Sequence, residues 1–78
     1  MKTRQEVADF LGLCIAMDSS GEWYWHKGIP KIFDDGWISE YPRKEDDYWV
    51  ISFCGLLPPD LIDYDGSWET SLTIPTGK

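Results

Sequence analysis

The chain has 78 residues, of which 42% are hydrophobic and 15% aromatic, and five are tryptophans. This length supports one compact core, so we expect a single domain over residues 1–78. The 14 acidic and 7 basic residues give a net charge of −7. That balance argues against direct contact with nucleic acid or with an anionic membrane surface, because both attract basic proteins.

The first predicted element is an amphipathic helix. Residues 3–6 match a capping box, in which the Thr3 side chain accepts from the Glu6 amide and the Glu6 carboxylate reaches back. Glycine at position 12 either weakens the helix or ends it, so the pattern predicts a helix over residues 3–17 or one that ends near Leu11. Apolar residues recur at helical spacing and define one stripe, which comprises Val7, Phe10, Leu11, Cys14 and Ile15.

Residues 3–13 resemble the first helix and turn of a helix-turn-helix. In that motif a recognition helix follows the turn and offers basic and polar side chains to the major groove. Residues 14–21 contain no basic side chain, and the segment after them alternates like a strand. The pattern therefore favours an ordinary capped helix, and we expect no direct binding to DNA.

Tight alternation then predicts a strand at residues 22–27. Trp23 and Trp25 share one face of this strand, and Tyr24 and His26 share the other. Because a two-layer domain buries one face of its sheet more than the other, we expect some of these rings to lie at the surface.

A β-hairpin is predicted next. Residues 31–33 resume an extended pattern, and Asp34, Asp35 and Gly36 are residue types that tolerate the left-handed backbone of tight turns. Residues 37–41 would return as the second strand of this hairpin.

The strongest predicted strand covers residues 48–54, which are β-branched, aromatic and almost wholly apolar, as a central strand is. A last strand is predicted at residues 67–74, at an edge of the sheet. One helix followed by roughly three to five mostly antiparallel strands predicts an α+β fold, with the N-terminal amphipathic helix packed on a small sheet.

The two cysteines, Cys14 and Cys54, both lie in apolar sequence. A small secreted scaffold carries more cysteines at tighter spacing, so we expect two buried, reduced thiols. Arg4, Glu6 and Asp9 interrupt any signal-peptide-like stretch, and no segment approaches the ~20 apolar residues of a membrane-spanning helix. These features predict an intracellular, cytoplasmic protein.

The sequence offers no convincing catalytic set. His26 is the only histidine, and its position beside Lys27 on a strand predicts a surface residue. Cys14 is the candidate nucleophile for a Cys–His pair. Its position on the apolar stripe, however, accounts for a cysteine there without any catalytic role. We therefore expect a protein that is not an enzyme.

Metal and cofactor sites are also disfavoured. Asp60, Asp63, Asp65 and Glu69 lack the ligand order of a calcium loop, because Glu69 follows Gly66 too closely. One histidine and two separated cysteines argue against a structural zinc site. We expect a solvated acidic turn here, with no metal and no cofactor.

Aromatic and acidic residues supply the candidate binding site. Exposed tryptophans are typical interface anchors, and residues 32–78 carry ten acidic and three basic side chains, which favours a basic partner. The predicted partner-binding residues are Trp23, Trp25, Trp37, Asp34, Asp35, Glu45, Asp46, Asp47, Asp60, Asp63 and Asp65.

These features favour a small acidic binding protein whose partner is another protein with a basic surface. The combination is typical of inhibitors and adaptors, including the anti-defence proteins with which phages and other mobile elements block the nucleic-acid-binding surface of a host protein. The alternative is a small accessory or structural subunit that docks through exposed tryptophans, with acidity serving only solubility. Salt separates the two hypotheses, because charge-driven association weakens as ionic strength rises.

Overall fold

The computed structural model describes residues 1–38 and 54–76, together with the backbone of two short strands between them. One N-terminal helix packs on a small antiparallel sheet, which confirms the predicted α+β fold. The elements are α1 (Arg4–Leu11), β1 (Cys14–Met17), β2 (Trp23–His26), β3 (Lys31–Phe33), β4 (Gly36–Ile38), β5 (Tyr41–Pro42), β6 (Trp49–Val50), β7 (Cys54–Leu56) and a 3₁₀ helix (Trp68–Thr70).

The bounds of α1 follow from its two caps. The Thr3 hydroxyl accepts from the Glu6 amide at 3.1 Å, and the Thr3 amide donates to the Glu6 carboxylate at 2.9 Å, so the predicted capping box is confirmed. Gly12 ends the helix in the left-handed conformation, with φ of 69°. The shorter of the two predicted helices is therefore correct, and the extension to residue 17 is wrong because a strand begins at Cys14.

The buried face of α1 differs from the predicted stripe. Val7 and Ala8 are buried, and Leu11 packs against the core from the same side. Phe10 is 88% exposed, because successive residues are about 100° apart on a helix and Phe10 lies on the side of Val7 away from Ala8. Cys14 and Ile15 are buried as predicted, but they lie on β1 and not on the helix.

The main sheet has the strand order β1-β2-β7, with antiparallel pairing throughout. The segment predicted as one central strand begins with β6, which pairs with β5, and leads to β7, which pairs with β2. Tyr48 and residues 51–53 of the predicted strand lie outside the described residues. The central position in this sheet belongs to β2. The sequence predicted residues 48–54 for that position because their long apolar run has the composition of a central strand, and composition does not report which strands pair.

The core lies between α1 and one face of the sheet. The Trp23 ring meets the Tyr64 ring edge to face at a centroid distance of 5.5 Å, and the Arg4 guanidinium lies 4.7 Å from the centre of the Tyr64 ring. This layer joins the helix, the middle strand and the segment after β7. Its buried apolar residues are Val7, Ala8, Ile15, Trp23, Leu57 and Ile62.

The C-terminal segment covers the outer edge of β1. Residues 67–74 were predicted as a strand, but they form the 3₁₀ helix followed by a single bridge from Thr73 to Ile15. The Ser71 hydroxyl is buried and accepts from the Met17 amide at 2.8 Å, so one side chain replaces a ladder bond. The strand prediction is wrong because Ser67 caps a helical turn through the Glu69 amide, a local bond that competes with extended pairing.

Candidate functional site

The β3–β4 hairpin forms with its turn at Asp34 and Asp35, as the turn chemistry predicted, and the returning strand begins at Gly36. Phe33 pairs with Gly36, so Asp34 and Asp35 form the two-residue loop. Asp34 has φ of 54°, a left-handed conformation that aspartate tolerates better than most residues. Both carboxylates are exposed.

Exposed apolar side chains adjoin these carboxylates. Phe33 is 61% exposed, Ile32 is 44% exposed and Ile29 is 68% exposed. Large apolar side chains are common at the surface singly, but three within five consecutive positions make this hairpin a candidate contact element. Successive residues of a strand point to opposite faces, so Ile32 and Phe33 present apolar surface on the two faces of the hairpin. We call these exposed residues the hairpin patch, which comprises Ile29, Ile32, Phe33, Asp34 and Asp35.

Three hydrogen bonds fix the hairpin on the body of the protein. The Ser19 amide donates to the Asp35 carbonyl at 3.1 Å, and the Trp37 amide donates to the Asp18 carboxylate at 3.2 Å. The Trp37 indole donates to the Trp68 carbonyl at 3.1 Å. Burial raises the pKa of Asp18, whereas the bond from Trp37 opposes that rise. These bonds attach the hairpin to the loop after β1 and to the 3₁₀ helix, so its position relative to the core is defined.

The three tryptophans predicted as anchors lie in different surroundings. Trp23 is 5% exposed and belongs to the core. Trp25 is half-buried and lies so close over Gly55 that a Cβ at position 55 would clash with its indole ring. Trp37 is half-buried, and its indole N–H is already bonded to Trp68. The rings of these three tryptophans contribute to the packing of the domain. Phe33 on the hairpin is more exposed than any of the three.

The acidic clusters also occupy separate segments. Asp60, Asp63 and Asp65 are exposed on the segment that follows β7, and the Asp63 amide donates to the Lys2 carbonyl at 2.8 Å. Glu45, Asp46 and Asp47 lie outside the described residues. Among the clusters that the structure describes, Asp34 and Asp35 are the pair that shares the hairpin with exposed apolar side chains.

His26 is 1% exposed, so its prediction as a surface residue is wrong. The strand register aligns it with Cys14 on one side and Cys54 on the other. Paired residues of adjacent strands point to the same sheet face, so the three side chains form a row. Neither ring nitrogen of His26 has a hydrogen-bond partner within the part of the chain that the structure describes. No signal in the sequence predicts this row, because register brings together residues distant in the chain.

Desolvation acts on the ionisable groups of this row. Burial raises the pKa of the Cys14 thiol and lowers the pKa of His26, so both groups are held in their neutral forms. Two strand spacings separate Cys14 from Cys54 by roughly 10 Å, too far for a disulfide or a shared metal ion. Among the described residues neither cysteine forms a disulfide. Cys14 is buried as predicted, whereas Cys54 is half-buried, so the prediction of two buried thiols is correct only for Cys14. Within residues 1–38 and 54–76 no three side chains are placed to hold a metal.

A second surface, missed by the sequence analysis, is an apolar groove beside α1. Its volume is about 730 Å³, which lies within the range of ligand pockets. The Lys2 amide donates to the Leu61 carbonyl at 2.9 Å, and this bond ties the chain before α1 to the opposite wall. We call this surface the helix groove, which is lined by Lys2, Glu6, Val7, Asp9, Phe10, Leu11, Leu57, Pro58 and Leu61.

Comparison with known proteins adds no relative. No family model matches the chain, and no match was found among curated proteins or solved structures. Among the described elements, no helix has the length and apolar character needed to cross a membrane, and α1 has eight residues. The hairpin patch and the helix groove are therefore the two features from which a function can be inferred.

Proposed function

We propose that this protein is a non-catalytic binding domain that uses the hairpin patch to occupy a basic surface of a partner protein. The observation that carries the proposal is Phe33, which is 61% exposed and directly precedes the exposed carboxylates of Asp34 and Asp35. An aromatic side chain supplies contact area at the centre of an interface, and flanking charges select the partner and its orientation.

The charge of the whole chain supports a basic partner. With a net charge of −7, the protein attracts a positively charged surface over distances of about a Debye length, roughly 8–10 Å in physiological salt. Charge complementarity of this kind raises the association rate. The same charge repels nucleic acid, so the protein competes with nucleic acid for a basic surface and does not bind nucleic acid itself.

More specifically, we propose that the partner is a nucleic-acid-binding protein and that this chain inhibits it. A small acidic domain seated on a basic groove would exclude the phosphate backbone that the groove normally holds. The inhibitors with which phages and other mobile elements block host defence proteins are of this type. The support for this form is the acidic composition together with the hairpin patch.

The test uses two hairpin variants of the tagged chain. Asp34→Asn with Asp35→Lys changes the charge and keeps a residue at position 34 that tolerates the left-handed backbone. Phe33→Ala removes the apolar anchor. Proteins captured from the native host by the wild-type chain are identified by mass spectrometry. Association with each purified partner is then measured at low and high salt, with and without competing DNA.

The expected partner is basic, loses affinity steeply with salt and is displaced by DNA. The charge variant should slow association, and Phe33→Ala should mainly speed dissociation, by at least about tenfold for a buried aromatic. Asp63→Lys with Asp65→Lys is the control, because both side chains are exposed and lie away from the hairpin and outside the groove lining. A partner that binds both hairpin variants as tightly as the wild type would overturn the proposal.

A further inference from the structure

The helix groove has two apolar walls that the rest of the described chain leaves open. Phe10 belongs to the wall made by α1 and is 88% exposed. Leu57, Pro58 and Leu61 form the facing wall. An exposed phenylalanine forfeits most of the stabilisation that burial of its ring contributes, so the groove favours an occupant that covers this ring.

The backbone around the groove restricts the conformation of an occupant. Beyond the first turn, the amides of α1 are used within the helix. On the facing wall, the Leu57 amide donates to Trp23 and the Leu61 amide donates to Pro58, which itself has no amide hydrogen. A strand docked here would leave its own backbone groups without partners in an apolar groove, which is costly. A helix pairs those groups internally and escapes that cost.

Charge at the rim sets the polar edges of the occupant. Glu6 and Asp9 line the groove one helical turn apart, and Asp60 is exposed directly before Leu61. The hydrogen bonds between Glu6 and Thr3 lower the pKa of the Glu6 carboxyl, so the carboxylate is ionised at neutral pH. Among the described lining residues Lys2 is the one basic side chain, and Lys2 and the N-terminal amine both lie near enough to lower the pKa of Glu6 further. One oxygen of the Asp9 carboxylate accepts from the Gln5 side chain and from Thr76. The carboxylates of Glu6, Asp9 and Asp60 still outnumber these two basic groups, so the rim complements basic side chains.

We infer that the helix groove binds an amphipathic helix of a partner protein, with apolar residues at i, i+3, i+4 and i+7 and with lysine or arginine beside that stripe. The apolar stripe would cover Phe10 and contact the facing wall, and the basic residues would lie over Glu6 and Asp9. This mode of recognition is the helix-in-groove mode. The site is separate from the hairpin patch and goes beyond the proposed function.

The probe is a synthetic leucine–lysine peptide of about 14 residues, roughly four helical turns, with leucines at the positions just given and a fluorescent label. Its binding to the full chain is measured by fluorescence anisotropy. Two control peptides are used: one has the same composition in a shuffled order without an apolar stripe, and one carries glutamate in place of lysine. The wild-type chain should bind the first peptide and bind both controls at least tenfold more weakly.

Phe10→Ala should weaken binding of the leucine–lysine peptide by about tenfold or more, because the variant removes the largest contact. Ile74→Ala is the control, because Ile74 is an exposed apolar side chain that belongs neither to the groove lining nor to the hairpin patch, and it should leave this binding unchanged. Both side chains are exposed, so neither change should unfold the chain, and circular dichroism checks the fold. Because neither variant alters the hairpin patch, failure here is distinguishable from failure of the proposed function.

Three results would overturn the inference. Equal binding of the shuffled peptide would reduce the effect to nonspecific attraction between a cationic peptide and an acidic protein. Unchanged binding by Phe10→Ala would place the peptide elsewhere on the molecule. Concentration-dependent self-association of the wild-type chain that Phe10→Ala abolishes, measured by sedimentation, would assign the groove to a second copy of this chain.

Discussion

At the residue scale, His26 is the side chain whose surroundings differ most from what composition suggests. It is buried between two cysteines in register, and its ring nitrogens find no partner among the described residues. An imidazole in such a place is stable only in its neutral form, because a buried charge without a partner is costly. The pKa of His26 is accordingly lowered from its ordinary value of 6.5, with desolvation as the cause.

This lowered pKa predicts a loss of stability in mild acid. Below pH 6.5 the unfolded chain takes up a proton on His26 and the folded chain does not, so the free energy of unfolding falls as pH decreases. The slope approaches about 1.4 kcal/mol per pH unit for one proton. Urea denaturation between about pH 8 and pH 5.5, on either side of the ordinary histidine pKa, measures this slope.

His26→Leu is the control for this measurement, because leucine has a similar volume and does not titrate. His26 is the only histidine in the chain, so the variant should lose the slope over this interval. If the wild-type protein and the variant show the same pH dependence, His26 is not the group responsible.

At the element scale, local signals in the sequence predicted local structure well. The capping box at Thr3 and Glu6 and the turn at Asp34 and Asp35 both form as their chemistry requires. The sequence allows two ends for the helix, because Gly12 is compatible both with a weakened helix interior and with a left-handed cap. The structure selects the cap, and that choice places Cys14 on a strand.

Gly12 therefore has a specific expected role as the cap of α1. Its φ of 69° is strained for alanine, and a Cβ at this position would meet no atom within 4 Å, so the cost of substitution is in the backbone alone. Gly12→Ala should lower the free energy of unfolding by about 1 kcal/mol. Gly12→Asn should cost less, because asparagine tolerates this conformation. Equal destabilisation by the two variants in chemical denaturation would contradict this role.

The sequence patterns do not predict which distant segments pair or pack together. The row of Cys14, His26 and Cys54 depends on strand register, and the helix groove depends on how the residues after β7 pack beside α1. The sequence predicts Phe10 in the core because the apolar spacing continues from Val7 to Ile15, as it would on a helix longer than α1. Periodicity reports which residues share a face, but it does not report how much of that face the rest of the chain covers.

At the scale of the whole molecule, one question is whether the acidity serves binding or only solubility. All of the excess negative charge lies after Lys31, and one of its clusters lies on the hairpin patch. Like charges repel in the folded state, so a net charge of −7 contributes a small destabilisation that salt screens. A net negative charge that slightly destabilises the fold fits both a role in binding and a role in solubility. Stability and binding must therefore be measured on the same variant.

Asp34→Asn with Asp35→Lys changes the net charge from −7 to −4, because the first change removes one negative charge and the second replaces a negative charge with a positive one. Both side chains are exposed, so the free energy of unfolding should change by less than about 1 kcal/mol. Thermal melts should also rise less with added salt than those of the wild type, because less repulsion remains to be screened. Binding to a basic partner should fall in the same variant, with a shallower salt dependence of association. Unchanged binding, together with the flatter salt response of the melts, would mean that these charges serve solubility alone.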